Sequence, residues 1–156
     1  VTFGNNVVNC YGMFEFSRNF NQPVTISDKV SVCSYMFRGC SILNQPVTFG
    51  AAVVTCDSMF RDATEFNQPV VLGNKVRNCI NMFQNCGNYN QSIIIPRLVS
   101  NCVNMFSKCP NMAGNIYVLN TNSSVNYTKM LNGRSNERPI NIFCNDLTAL
   151  KNEWDT

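Results

Sequence analysis

The hydrophobic positions of this chain fall into columns. Met-Phe recurs at Met13-Phe14, Met36-Phe37, Met59-Phe60, Met82-Phe83 and Met105-Phe106, always at the same 23-residue step. Three residues before each Met stands a Cys (Cys10, Cys33, Cys56, Cys79, Cys102), and six before it a Val (Val7, Val30, Val53, Val76, Val99). Seven after it comes a large apolar residue: Phe20, Leu43, Phe66, Tyr89, Met112. Asn-Gln-Pro follows at 21–23, 44–46 and 67–69, weakening to Asn90-Gln91-Ser92. A β-rich triplet closes each unit: Val24-Thr25-Ile26, Val47-Thr48-Phe49, Val70-Val71-Leu72, Ile93-Ile94-Ile95 and Ile116-Tyr117-Val118, with Val1-Thr2-Phe3 as the same triplet one unit earlier. A unit this small cannot bury its own apolar side. It must pack on its neighbours, which predicts a solenoid.

Two kinds of element follow from the pattern. The triplets alternate in, out, in, as short strands do. Equivalent strands then lie side by side, roughly 4.8 Å apart, in a parallel sheet on one face. Val30, Cys33, Phe37 and Cys40 are spaced i, i+3, i+7 and i+10, which predicts a helical turn after each strand. A strand plus a helical turn in a unit of this length falls in the leucine-rich-repeat class, and the fold class expected is an α/β repeat of that kind. The Asn column (Asn21, Asn44, Asn67, Asn90) predicts a ladder, because a carboxamide both donates and accepts and so bridges neighbouring units.

The array is regular over 1–118 and degrades over 119–156. The period demands the next Met where Thr128 stands; Met130 arrives late, and Tyr127 takes the Cys place. Pro139-Ile140-Asn141-Ile142 reads as one more strand, and Asp146 as the N-cap of a short helix from Leu147 to Trp154. This tail is expected to be an irregular repeat and cap that hides the last open strand edge.

The unit Leu-Asn-Gln-Pro-Val-Thr-Phe … Val-x-x-Cys-x-x-Met-Phe-x-x-Cys/Ala resembles the BspA-like leucine-rich repeats, both the Treponema-type and the Mycoplasma-lipoprotein-type. Met36-Phe37-Arg38-Gly39-Cys40 with Asn44-Gln45-Pro46, and Met82-Phe83-Gln84-Asn85-Cys86 with Asn90-Gln91, carry the resemblance. It implies a scaffold fold and a surface role: members are typically bacterial adhesins, and similar arrays occur on phage tail proteins. The Cys10-to-Cys102 column departs from the family, which usually carries Ile or Met there.

Composition narrows the function. The chain has 156 residues, 45% hydrophobic and 13% charged, with a net charge of +3. That excludes a disordered chain and gives no support for a nucleic-acid partner. No apolar run reaches the ~18 residues of a membrane span. The N-terminus VTFGNNVV has neither the basic nor the apolar region of a signal peptide, and it reads as a piece of something longer. There is no His, the commonest general base and neutral metal ligand.

The cysteines read as core. No CxxC occurs, and Cys33…Cys40, Cys79…Cys86 and Cys102…Cys109 would stand roughly 10 Å apart on a helical turn, beyond disulfide reach. Metal ligation wants closer pairs. An odd, repeating set of thiols suits folding in a reducing compartment. Among the acids, Asp62 and Glu65 share a turn, but no acid falls in a repeated column. No catalytic residue, metal site or cofactor is expected, and no enzyme.

Recognition is left. The outward middle residue of each strand forms a column, Thr2, Thr25, Thr48, Val71, Ile94 and Tyr117, that passes from hydroxyl to apolar to aromatic. Gln22, Gln45, Gln68 and Gln91 run nearby, either to bond a ligand or to support the turn. The expectation is a module that binds a cell-surface protein or glycan. Its preferred setting is a phage tail fibre or tip, and the alternative is a bacterial surface adhesin. A structural or homo-oligomerisation module is the reading from another class.

Overall fold

The structure, a computed structural model, describes residues 1–4, 6–120, 125–134 and 140–144. Five short strands lie among them: β1 (Val24–Thr25), β2 (Val47–Thr48), β3 (Ile93–Ile95), β4 (Ile116–Val118) and β5 (Ile142–Cys144). β1 pairs with β2, and β4 lies between β3 and β5; every pairing is parallel. Val24 faces Val47 and Ile93 faces Ile116, each pair one repeat period apart. A second line of parallel bridges crosses each unit at Asn9, Val32, Thr55, Asn78, Asn101 and Asn126. The predicted repeat is thus realised as short parallel sheets with a fixed register. In β3 and β4 the burial runs buried, exposed, buried, as expected of strands with one face on a core.

The predicted helical turn is not found: the described residues contain no helix. The segment is a run of tight turns. Its amides alternate in direction. Met36, Arg38 and Cys40 donate back three residues, to Cys33, Tyr35 and Phe37, at 3.2, 3.1 and 3.1 Å. Between them, Cys33, Tyr35, Phe37 and Gly39 donate forward to Thr55, Asp57, Met59 and Arg61 of the next unit, at 3.0, 2.8, 2.9 and 2.8 Å. A helix needs every amide for its own chain four residues back, so half of them pointing outward forbids one. Two residues per unit also have positive φ: Tyr35 (62°) and Gly39 (70°), Ser58 (53°) and Asp62 (61°), Asn81 (53°) and Asn85 (62°). Each is the third residue of a turn, where a type II turn requires it and a right-handed helix excludes it. Turns that close every three residues bring i, i+3 and i+7 to one side, which is why the spacing imitates a helix face.

The inward columns make one core. Val30, Val53, Val76 and Val99 are fully buried, as are the Met and Phe residues from Met36-Phe37 to Met105-Phe106. Rings of Phe14, Phe37, Phe60, Phe83 and Phe106 stack in sequence with centroids 5.6, 5.6, 5.5 and 5.4 Å apart. Phe20, Phe66 and Tyr89 fill in beside them, at 4.3, 4.2 and 4.3 Å from Phe14, Phe60 and Phe83. Nearly parallel, displaced rings are a favoured arrangement for aromatic quadrupoles and add to the burial of apolar area. At the first unit the stack is open: Met13 is 43% exposed where Met36 and Met59 are fully buried.

Past residue 118 the register absorbs insertions. Asn101 bridges to Asn126 and Ile116 pairs with Ile142, both partners lying beyond the regular period. Tyr127, in the Cys place, and Met130 are both buried. The strand expected at 139–142 starts later, as β5 at Ile142, because the extra residues shift the register. Pro139, Asp146 and the helix expected over Leu147–Trp154 lie outside the described residues.

Candidate functional site on the strand face

The outward column is where the alternation puts it. Thr2, Thr25 and Thr48 are exposed, Val71 is 81% exposed, Ile94 54% and Tyr117 36%. The structure adds Phe143, 50% exposed, whose ring stacks on Tyr117 at 4.8 Å and 11°. The sequence reading missed Phe143 because it pairs with Tyr117 off the period of the array. The only advance signal for it is the Ile-Phe-Cys triplet itself.

The column does not sit on a continuous sheet. Among the described residues, no backbone hydrogen bond joins Val70, Val71 or Leu72 to either neighbouring unit, although Val70 and Leu72 are buried. The sheet divides there, and a groove flanks the segment on each side. One, of about 410 Å³, lies toward Thr48 and Phe49. The other, of about 470 Å³, is apolar and lies between Pro69 and Val71 on one wall and Ile94, Pro96, Tyr117 and Leu119 on the other.

The Gln column divides in two. Gln68 Nε2 donates to Asn44 Oδ1 at 3.0 Å, and Gln91 Nε2 to Asn67 Oδ1 at 3.0 Å, so these two brace the turn. Gln22 is exposed and Gln45 half-buried. The Asn column forms the expected ladder. Backbone amides of Asn44, Asn67, Asn90 and Ala113 donate to Oδ1 of Asn21, Asn44, Asn67 and Asn90, at 3.0, 3.0, 2.9 and 2.8 Å.

A family model described as "Mycoplasma protein of unknown function, DUF285" matches residues 4–97 and again 95–156. The chain belongs to this family. No curated protein and no solved structure matches it. Membership places the chain in a Mycoplasma-type repeat family, the second of the two repeat types it resembles.

The thiols of this DUF285 protein are part of its core. Cys33, Cys56, Cys79, Cys86, Cys102 and Cys109 are fully buried, and none is in a disulfide. Cys40, Cys86 and Cys109 donate S–H to the carbonyls of Phe14, Phe60 and Phe83 in the preceding unit, at 3.0, 2.8 and 2.8 Å. Burial pushes the Cys40 thiol up to about 11, and burial with the neighbouring Cys10 pushes Cys33 up to about 12. A thiol held neutral at physiological pH is a poor nucleophile and a poor metal ligand.

The acids are also committed to neighbouring units. Asp62 Oδ1 accepts from Asn85 Nδ2 at 2.6 Å, and Glu65 Oε2 from Asn88 Nδ2 at 2.7 Å. Each is held by the next unit's carboxamide. Asp57, half-buried, has its carboxyl raised by desolvation, and Asn78 Nδ2 donates to it at 3.2 Å. No helix among the described residues is long and apolar enough to cross a membrane.

Proposed function

We propose that this DUF285 chain is a non-enzymatic recognition module that docks on a cell-surface molecule through its exposed strand-face column. The observation that carries the reading is the row of Val71, Ile94, Tyr117 and Phe143 standing outward on the repeat. An apolar side chain gains nothing from facing water, and a run of them on one face marks a contact surface. The constant register between units up to residue 118 supports a leucine-rich-repeat-like solenoid as the frame, with 119–156 read as its closing repeat and cap. Such a frame holds exposed columns at fixed spacing, which is how repeat proteins recognise partners. The family's Mycoplasma description supports a bacterial surface protein. The reduced, buried thiols support folding in a reducing cytoplasm before exposure, as a part of a phage tail would fold.

The test is binding of the purified chain to a panel of bacterial cells and isolated wall glycans, beside a Thr25→Lys, Ile94→Lys, Tyr117→Lys triple variant matched for fold by circular dichroism. Specific binding by the parent that is lost in the variant is expected. Binding unchanged in the variant moves the site off the strand face. A second reading, an oligomerisation module, draws on the same apolar row. It predicts a stable multimer in light scattering that the triple variant dissolves, with no binding to any surface.

A further inference from the structure

The larger groove has a chemistry of its own. Its walls are aliphatic and aromatic, from Val71, Ile94, Tyr117 and Leu119, together with Pro69 and Pro96. Two cations stand next in sequence to its lining residues: Lys75 follows Asn74, and Arg97 follows Pro96. Both cations are exposed, and neither makes an ion pair among the described residues. Asp28, three units before Arg97 in the same column, lines the other groove, and its Oδ1 already accepts the Ala51 amide at 2.8 Å.

We infer that this groove takes an extended peptide segment of a partner protein, with aliphatic side chains seated between Val71 and Ile94–Tyr117 and carboxylates against Lys75 and Arg97. The inference rests on the recognition reading above and chooses protein over glycan. Two features of the groove select a peptide. Aliphatic walls reward the burial of apolar side chains, which a sugar's hydroxyls do not supply. Unpaired cations adjoining the lining residues complement carboxylates and reject basic segments.

An array of synthetic octapeptides that permutes aliphatic, acidic, basic and neutral polar residues tests this, followed by fluorescence anisotropy on labelled hits. The parent chain should select peptides that combine aliphatic residues with Asp or Glu. The double variant Lys75→Glu, Arg97→Glu alters only exposed side chains; it should weaken those peptides at least tenfold and turn the preference toward Lys- and Arg-bearing ones. Ile94→Asp should abolish both preferences while the circular dichroism spectrum stays unchanged. Selection that is blind to charge reversal, or that survives Ile94→Asp, overturns the inference. A glycan array and whole cells are probed with the same protein. Binding there without any peptide selection overturns the peptide groove and leaves the recognition module standing; no binding to peptides, glycans or cells overturns both.

Discussion

Replacing Asn67 by Ala should destabilise the fold by about 1–2 kcal/mol, while Asn67→Asp should cost less than about 0.5 kcal/mol. Oδ1 of Asn67 accepts two hydrogen bonds, from the Asn90 amide at 2.9 Å and from Gln91 Nε2 at 3.0 Å. A typical hydrogen bond contributes about 1 kcal/mol net, and a donor left without a partner costs more when water cannot reach it. Asn67 is half-buried and Asn90 exposed, so water replaces part of what Ala removes, and the total stays below the sum for two fully buried bonds. Aspartate keeps an acceptor oxygen in the same place and receives the same two donors. Urea unfolding followed by circular dichroism reads both variants. With a slope of about 2 kcal/mol per molar, Asn67→Ala should lower the midpoint by roughly 0.5–1 M. A stabilising role for the Asn ladder is refuted if Asn67→Asp loses as much as Asn67→Ala, since the acceptor would then be irrelevant, or if Ala leaves the midpoint in place.

Three other perturbations follow from the packing. Phe60→Ala removes a fully buried ring that stacks against Phe37, Phe66 and Phe83 and should cost about 3–5 kcal/mol; Phe14→Ala, half-buried at the open end, should cost clearly less in the same urea titration. Gly50→Ala should lower the melting temperature sharply because its new Cβ meets the Ser27 carbonyl, whereas Gly73→Ala, with its nearest neighbour at 3.8 Å, should be nearly neutral by calorimetry. The buried thiols should make the fold labile to alkali. Burial holds Cys33, Cys102 and Cys109 up to about 12 in the fold, while unfolded thiols ionise near 8.5, so above that pH the unfolded chain binds fewer protons and gains. Stability should therefore be full below about pH 8 and fall as pH rises toward 12, by about 1.4 kcal/mol per pH unit for each such thiol. Urea midpoints from pH 7 to 10.5 check this, and Cys102→Ala should flatten the fall.

The columns were legible because every unit buries the same positions. Met, Phe, Cys and Val at a constant 23-residue step named the core from Val30 to Met112, and the Asn step named the ladder. The turn type was not legible from spacing, since turns closing every three residues share the i, i+3, i+7 signature of a helix. Gly39, Asn81, Asn85 and Asp62 at positive φ carried that information, as residue types that tolerate the left-handed region. Phe143 was hidden by insertions that broke the period. The exposed column was readable from strand alternation. The groove beside Val71 was not, because the loss of pairing at Val70–Leu72 comes from how units sit on one another, which Val70-Val71-Leu72 does not express.

The alternating amides have a mechanical consequence. Hydrogen bonds such as those from Cys33 to Thr55 and from Phe37 to Met59 lie along the direction in which units follow one another. Tension applied across the array loads these interfaces in series, so each bears the whole force and the weakest yields first. One released 23-residue unit frees roughly 76–83 Å of chain, at about 3.3–3.6 Å per residue. An attachment that ran its load through such a stack would lengthen in steps, spending energy one interface at a time before the anchored contact itself felt the full pull.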